Sequence, residues 1–261
     1  VTYNAEATIS RTMESVARQT YPSIEHVVID GASKDRTVTI AREYPAAVIV
    51  SEPDGGLYDA MNKGLKLATG DFVCFLNAGD KLHDEDTIAR VAQAILAVGD
   101  AAAVGVVYGD THIVDDDGRF LRPRHLTPPD VLTWRSFRSG MLVCHQSFYI
   151  NRSIALPYDL SYRFSADFDW CIRCMQEGER RGMMNVYVRE PLTDYLHEGM
   201  TTANHRASLQ ERFSIMAKHY GLVPTVLYHI GFVFRIIKNN IAPINIKAYF
   251  LLPVFDNRTT G

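Results

Sequence analysis

The sequence predicts an α/β domain in which a mostly parallel central sheet is flanked by helices. Over roughly the first 110 residues, short apolar runs rich in β-branched residues alternate with segments whose apolar residues recur every three or four positions. Glycine or aspartate follows most of the short runs, as is typical of strands that end at a turn. This alternation indicates parallel strands joined by helical crossovers, with helices on both faces of the sheet.

The predicted elements follow one another in a regular order. Strands are predicted over residues 26–29, 48–50, 72–76 and 104–108, and a helix with one apolar face precedes each of them. These faces are formed by Ile9, Met13, Val16 and Ala17, then Val38 and Ala41, then Leu57, Met61, Leu65 and Ala68, then Ile88, Val91 and Ile95. Further along, a strand is predicted over residues 146–150 and a helix over about residues 166–177.

Composition and charge exclude some classes of protein. The 261 residues include 27 Lys and Arg against 30 Asp and Glu, so the basic surplus of a general nucleic-acid binder is absent. The four cysteines lie in apolar or helical stretches, which indicates reduced thiols and a cytoplasmic protein. Residues 1–4 read as the end of a strand, and we expect a few native residues to precede them.

Three predicted strands are followed by an aspartate. Asp30, Asp54 and Asp80 come just after the apolar runs at residues 26–29, 48–50 and 72–76. Because parallel strands present their carboxyl ends at one edge of a sheet, these carboxylates are expected to lie close together and to line a ligand site. Such carboxylates bind ribose hydroxyls, base N–H groups or a hard cation on a diphosphate. The alternative is that each aspartate only caps the helix that follows it.

Five segments carry a resemblance to a known family. They are Asn4, residues 30–37 (DGASKDRT), residues 58–64 (YDAMNKG), residues 68–71 (ATGD) and residues 75–80 (FLNAGD). In order and spacing they resemble the family 2 glycosyltransferases, which have the GT-A fold. The resemblance covers about residues 1–200. It implies an inverting enzyme that transfers a sugar from a nucleotide-diphosphate sugar to an acceptor hydroxyl of a glycan or glycolipid, as in the assembly of bacterial exopolysaccharides.

The resemblance assigns roles in the donor half. Asp30 would hold the base or ribose of the donor, and Asp54 would lie beside the nucleotide. Asp80 would bind a Mn²⁺ or Mg²⁺ ion on the donor diphosphate. The other residues expected to bind the donor are Asn4, Ser33, Asn62, Lys63 and Asn77.

The metal motif departs from the family's pattern. Asn77 and Gly79 stand where many members carry aspartates, which leaves Asp80 as the only carboxylate of the motif. A divalent ion can still bind with few protein carboxylates if diphosphate oxygens and water complete its shell. His197, in a loop of the kind that closes over donors, is a candidate additional ligand, although a lone histidine is commonly structural.

A second set of residues is expected on the acceptor side. Residues 165–170 (SADFDW) resemble the segment that supplies the family's catalytic base, which assigns that role to Asp167 and places Asp169 on the acceptor side. Residues 144–146 (CHQ) likewise place His145 beside the acceptor. The alternative for both aspartates is compensation of the dipole at a helix N-terminus. Cys171 and Cys174 lack the second ligand pair of a zinc site, and we expect them to pack in the core.

We therefore expect three parts: a nucleotide-sugar-binding half over residues 1–110, an acceptor-binding half over residues 111–205 and a helical tail over residues 206–261. The tail combines aromatic residues with cations such as Arg235, Lys238 and Lys247. It is expected either to pack on the domain or to lie on the cytoplasmic face of a membrane, near a lipid-linked acceptor.

Two other functions stay open at this point. A nucleotidyltransferase would also use carboxylates and a metal, but its Gly-rich triphosphate loop with a basic residue is missing from residues 2–10. A nucleotide-sugar-binding module without catalysis would fit the reduced metal motif. The sequence does not separate UDP-, GDP- and dTDP-sugars as donors.

Overall fold

A computed structural model of the chain describes residues 1–44, 47–197 and 205–238. Within them, the strands are β1 (His26–Asp30), β2 (Ala47–Ser51), β3 (Phe72–Val73), β4 (Lys81–Leu82), β5 (Val104–Val114), β6 (Phe120–Pro123), β7 (Phe148–Asn151) and β8 (Met184–Leu196). The α-helices are α1 (Ile9–Ala17), α2 (Thr37–Ala41), α3 (Leu57–Leu67), α4 (Thr87–Ala97), α5 (Ala166–Arg180), α6 (His205–Tyr220) and α7 (Leu222–Lys238).

The strands form two sheets. β1 and β2 pair in parallel, and the second sheet has the order β3-β7-β5-β8-β4, with β6 paired to β5. The α/β class is as predicted, but the larger sheet is mixed rather than mostly parallel: of its described pairs only β5 and β8 are parallel. The reason is β7, which returns antiparallel between β3 and β5 and separates two strands that the predicted crossovers would have made neighbours.

The first two residues connect the two sheets. Thr2 donates its N–H to the carbonyl of Ile29 on β1 (2.9 Å), and the carbonyl of Val1 accepts from the Ala78 N–H (3.2 Å). Residues 1–2 therefore run between the end of β1 and the segment that leads to Asp80. The donor-half carboxylates consequently lie along one continuous edge.

Side chains from both faces of β5 enter the core, because this strand is covered on both sides. On one face Val106 packs with Phe148, with Met61 of α3 and with Trp170 of α5. On the other face Val107 packs with residues of α4 and with Leu192. Trp170 is completely buried, and replacing such a side chain by alanine typically costs about 3–5 kcal/mol.

Some predicted boundaries differ from the structure. The strand predicted over residues 104–108 continues to Val114, and the one predicted over 72–76 ends at Val73. Residues 145–147 form a short 3₁₀ helix instead of the start of β7. Cys171 and Cys174 are fully buried, so their prediction as core residues is confirmed.

The C-terminal prediction is covered in part. α6 and α7 are helical, as expected for the tail, while Lys247 and residues 239–261 lie outside the described residues. Among the helices that the structure describes, none has the length and apolar character required to cross a bilayer.

Candidate functional site

Two loops at the carboxyl end of β1 are tied together by hydrogen bonds. Asn4 accepts at Oδ1 from the N–H of Lys34 (2.9 Å) and donates its own N–H to Ser33 Oγ (2.7 Å). One residue further, the Ala5 N–H donates to Thr37 Oγ1 (2.7 Å). The two predicted donor residues Asn4 and Ser33 are therefore in direct contact.

Asp30 lies at the centre of this arrangement, and its side chain is fully buried. One carboxylate oxygen accepts from the Ser33 N–H (2.9 Å) and from the Ser51 hydroxyl (2.6 Å), and the other accepts from the Ser33 hydroxyl. Ser33 follows β1, and Ser51 is the last residue of β2. Asp30 therefore holds together the loops that follow these two strands. Its contact with a base or ribose stays a prediction.

Asp54 packs directly against Gly31. A Cβ atom at Gly31 would lie only 2.7 Å from Asp54 Oδ2, so a larger residue here would displace the Asp54 carboxylate. Lys63 of α3 donates to the Pro53 carbonyl (2.7 Å) and forms an ion pair with Glu52 (2.9 Å). The Asp30 and Asp54 loops are thus adjacent, and Lys63 is attached to the second of them.

Asp80 is buried, and only uncharged groups bond its carboxylate. Oδ1 accepts from the Leu196 N–H (3.0 Å), and Oδ2 accepts from the side-chain amide of Gln146 (2.9 Å). Burial raises the pKa of Asp80 to about 6, and these hydrogen bonds offset only part of the shift. The motif therefore contains a carboxylate that lacks a cationic side-chain partner among the described residues.

Gly79 accounts for the departure from the family's metal motif. Its φ of 104° lies in the left-handed region, and a Cβ atom there would lie 2.9 Å from Leu196 Cδ2. An aspartate at this position would be strained by the positive φ, and its Cβ would displace the tip of the Leu196 side chain. The backbone thus favours glycine here and leaves Asp80 as the acid of the motif.

The residues around Asp80 fit a hard divalent cation. The side-chain oxygen of Asn77 is buried and has no hydrogen-bond partner. An unpaired buried acceptor is costly, and a cation or a ligand N–H would satisfy it. Together with Asp80 it provides oxygen ligands, which Mg²⁺ and Mn²⁺ prefer. His197 follows Leu196 and has an exposed side chain, so its role as a ligand stays a prediction.

Asp167 lies in the first turn of α5 and contacts the donor half. The hydroxyl of Tyr58, the second residue of α3, donates to Asp167 Oδ1 (3.1 Å). The neighbouring Asn62 bonds the main chain of Tyr158 at both ends of its amide (2.7 and 3.1 Å). Asn62 therefore joins the two halves, and its contact with the donor stays a prediction.

Asp169, two residues later, has a different environment. Its side chain is completely buried and bonds Arg173 and His219, with Lys218 at 3.5 Å. Burial opposes ionisation of this carboxyl, but the hydrogen bonds from His219 and Arg173 outweigh it and lower the pKa to about 2. Asp169 fastens α5 to α6 and faces a different direction from Asp167, because residues two apart on a helix do not share a face. Its acceptor-side position stays a prediction.

His145 is also more buried than predicted. Its Nε2 pairs with the Tyr158 hydroxyl (2.6 Å), and its ring packs against Phe75 and Trp170. Burial lowers the pKa of His145, which favours the neutral ring. His145 therefore lies within an aromatic cluster, and its contact with an acceptor stays a prediction.

The N-terminus of α5 is held by α6. Both carboxylate oxygens of Glu211 accept main-chain N–H groups, from Arg163 (2.8 Å), Phe164 (2.8 Å) and Ser165 (2.9 Å). These groups lie just before α5, so Glu211 fixes the segment that leads into the helix and to Asp167.

Three contributors were absent from the sequence prediction: Gln146, Tyr58 and Glu211. Gln146 and Tyr58 stand inside motifs that were recognised, at positions to which no role was given. Glu211 is far from α5 along the chain, and no local pattern indicates its contact. His83, His112 and Asp194 were also missed; they form the one group of three or more potential metal-ligating side chains found in the described part of the chain.

Solved structures show the fold that surrounds this site. Staphylococcus aureus TarS, in a crystal structure with UDP-GlcNAc, superposes with a TM-score of 0.65 at 16% identity, over 95% of this chain and 76% of that one. Glucosyl-3-phosphoglycerate synthase from Mycobacterium tuberculosis, in complex with Mn²⁺, UDP and glucosyl-3-phosphoglycerate, gives 0.57 at 14% identity, over 83% and 76% of the two chains.

Curated relatives share more sequence. A PGL/p-HBAD biosynthesis glycosyltransferase of Mycobacterium tuberculosis is 36% identical over 181 residues, which are 66% of each chain. The amylovoran biosynthesis glycosyltransferase AmsB of Erwinia amylovora is 27% identical over 207 residues, 74% of this chain and 66% of that protein. The match thus spans just under two thirds of these relatives' length.

Fold and relatives together define the class of protein as a glycosyltransferase with the GT-A fold. The chain belongs to glycosyl transferase family 2, whose sequence model matches residues 1–156. The family and fold expected from the motifs are confirmed.

Proposed function

We propose that this chain transfers a sugar from a nucleotide-diphosphate sugar to an acceptor hydroxyl, with inversion at the anomeric carbon. The observation that carries the proposal is the hydrogen bond between Tyr58 and Asp167. Tyr58 follows the Asp54 loop of the donor half, so this bond brings a carboxylate of the acceptor half next to the predicted donor pocket. A single displacement needs that proximity between donor and base.

Asp167 is the proposed base. It would accept the proton of the attacking hydroxyl while Tyr58 fixes one of its oxygens. Asp30 and Asp54 would bind the nucleoside, with Asn4, Ser33 and Lys63 shaping the loops around it. The relatives' names, one in PGL/p-HBAD and one in amylovoran biosynthesis, support a glycan or glycolipid acceptor.

Asp80 and the side-chain oxygen of Asn77 would hold a Mn²⁺ or Mg²⁺ ion, with His197 as a further candidate ligand. Such an ion supplies neutralisation of charge on the diphosphate leaving group. The Mn²⁺ of the glucosyl-3-phosphoglycerate synthase complex supports this assignment. The carboxylate of Asp80 already has its orientation fixed by Gln146 and by the main chain of Leu196.

A thermal-shift series tests donor binding and the metal together. UDP, GDP and dTDP are each added with and without Mn²⁺ to the wild type and to Asp80→Asn. One nucleotide should raise the melting temperature, and Mn²⁺ should add to the shift in the wild type only. If no nucleotide stabilises the wild type, the proposed transferase function is wrong. If a nucleotide binds and donor turnover is still absent with glycan and lipid extracts, the binding module without catalysis is favoured.

We further propose that α7 lies on a membrane surface. Leu222, Val223, Leu227 and Ile230 are exposed, with 44–71% of their surface open to solvent. Residues 222–234 of this helix carry no charged side chain, and Arg235 and Lys238 follow. Exposed apolar residues next to cations are typical of helices that lie in the headgroup region of anionic bilayers.

Co-sedimentation with vesicles tests this second proposal. The wild type and the double variant Val223→Ser, Leu227→Ser are mixed with vesicles of neutral lipid or of neutral lipid plus phosphatidylglycerol. The wild type should sediment with the anionic vesicles, and the variant should lose most of this binding while keeping nucleotide binding. Equal sedimentation of both proteins would overturn the proposal that α7 lies on a membrane surface.

A further inference from the structure

Three side chains from three neighbouring strands meet on one face of the larger sheet. His83 follows β4, His112 lies on β5 and Asp194 lies on β8, and Asp194 is directly opposite both His112 and Lys81 in the sheet register. One ligand atom from each of the three lies within 4.8 Å of the other two. Asp194 Oδ1 is 2.7 Å from His83 Nδ1 and 3.9 Å from His112 Nδ1.

The environment orients these atoms towards one point. The side chain of Asp194 is 7% exposed, while those of His83 and His112 are 28% and 27% exposed, so solvent reaches the cluster from the imidazole side. The rings of His83 and His112 meet edge to face, and Phe120 packs on His112. Lys81 binds the second carboxylate oxygen at 2.9 Å, which leaves Oδ1 facing the imidazoles.

We propose that His83, His112 and Asp194 bind a borderline transition-metal ion such as Zn²⁺. Two imidazoles and one carboxylate with an open fourth position are a common zinc ligand set. With bonds of about 2.0–2.2 Å, the ligand atoms need shifts of roughly an ångström or less from their present places. Lys81 pairs with Oδ2, so it leaves Oδ1 to the ion while its positive charge competes for the same carboxylate.

This site differs in chemistry from the one proposed at Asp80. Nitrogen ligands select Zn²⁺, Co²⁺ or Ni²⁺, whereas the oxygens of Asp80 and Asn77 suit Mg²⁺ or Mn²⁺. The two sites are mechanically connected, because Lys81 follows Asp80 and the N–H of Leu196, two residues after Asp194, binds the Asp80 carboxylate. An ion on the cluster would therefore fasten β4 to β8 beside the donor motif.

A Co²⁺ titration tests the proposal. The purified, chelator-treated protein in excess Mg²⁺ is titrated with Co²⁺ and followed by visible ligand-field absorption and by melting temperature. The wild type should take up one equivalent with imidazole coordination. His83→Asn and His112→Gln should weaken binding at least about tenfold, because loss of only a partner behind a ligand already costs about 10–100-fold. The matched control His125→Gln changes an exposed histidine outside the cluster and should leave binding unchanged.

The variant Lys81→Gln is the most discriminating of the series, because its effect on Co²⁺ affinity differs between a metal site and an ordinary ion pair. It removes a positive charge 2.9 Å from the carboxylate and should tighten Co²⁺ binding, although it removes a contact of the apo protein. Three outcomes overturn the proposal: an unchanged isotherm in His112→Gln, weaker binding in Lys81→Gln, or loss of the ion in Asp80→Asn. Melting curves without metal establish that each variant is folded. Nucleotide binding is measured separately, so a failure here leaves the transferase function untouched.

Discussion

Two buried aspartates, Asp80 in the donor half and Asp169 at the start of α5, have surroundings that differ in charge. Asp80 is 4% exposed and Asp169 is fully buried, so desolvation opposes ionisation at both. Neutral donors bond Asp80, and its pKa is raised to about 6. At Asp169 burial is outweighed by His219 and Arg173, and the pKa falls to about 2.

This difference in the charge of the partners distinguishes Asp169, which has a structural role, from Asp80, which is available to bind a ligand. Asp169 has its countercharges within the chain, and its negative charge is satisfied in the folded protein. Asp80 has hydrogen bonds from neutral groups and no ion pair with a cationic side chain among the described residues, so a cation from outside would supply a countercharge that these side chains do not. Burial alone does not distinguish these two roles, and the charge of the partners does.

Asp167 gives the largest expected effect. It is partly exposed and bonded by Tyr58. Asp167→Asn keeps the shape and removes the proton acceptor, so turnover should fall by about 10²–10⁴-fold with donor affinity little changed. Release of nucleoside diphosphate in the presence of acceptor extract measures the rate. Near-normal turnover in this variant would show that another group is the base.

Asp169→Ala tests the structural side of the comparison. Removal of one member of a buried ion pair leaves Arg173 and His219 without their partner, and typical losses are about 3–5 kcal/mol. Urea unfolding should show this loss, while folded variant protein should still bind the nucleotide. A loss below about 1 kcal/mol would mean that the cluster contributes little, as exposed pairs do.

The fold was predictable where local patterns decide it. The apolar faces of α1, α3 and α4 and the runs that became β1 and β2 were all visible in the sequence. β8 was not predicted, although residues 184–188 alternate as a strand should, because its place between β4 and β5 depends on long-range pairing. The antiparallel return of β7 was missed for the same reason.

The candidate site also combines residues that local patterns predict with contacts that depend on long-range packing. Motifs located Asp30, Asp54, Asp80 and Asp167, because strand ends and helix starts place such residues at a sheet edge. The partners of the buried acids could not be predicted from the sequence, because they are distant along the chain. Gln146 bonds Asp80 across 66 positions, and His219 bonds Asp169 across 50. Sequence motifs therefore identified the acids and assigned different roles to Asp167 and Asp169, and the three-dimensional structure added the partners of Asp169.

The pH dependence of stability sharpens the comparison at Asp80. Its folded-state pKa of about 6 exceeds the ordinary value of 3.8, so the protonated acid favours folding. Protonation of Asp80 therefore adds roughly 2–3 kcal/mol to the free energy of unfolding below about pH 4. This stabilisation is lost as the pH rises through 6. Asp80→Asn should therefore be more stable than metal-free wild type at pH 8 by about that amount and equally stable at pH 4. Urea unfolding at pH 4, 5, 6 and 8 measures the difference.

Mn²⁺ provides the control for this prediction. The ion binds the ionised carboxylate, so it should restore stability to the wild type at pH 8 and have little effect on Asp80→Asn. A stability difference that is the same at every pH would contradict the assignment of the shift to this carboxyl group.

Tyr58→Phe is the smallest expected change, and it tests whether the Asp167 carboxylate needs an orienting partner as the Asp80 carboxylate does. The variant keeps the ring, which stacks on Tyr158 at 5.6 Å, and removes only the hydroxyl that donates to Asp167. A hydrogen bond to a charged group contributes about 1.5–3 kcal/mol when buried, and about 1 kcal/mol is expected for this partly exposed acceptor, or roughly fivefold in turnover. Donor affinity measured by calorimetry should not change. Tyr149→Phe is the matched control, because its hydroxyl is buried on the opposite face of the sheet with Val107 and Leu192. Equal losses of turnover in both variants would indicate a general packing effect, whereas a loss confined to Tyr58→Phe would mean that the donor half itself orients the base.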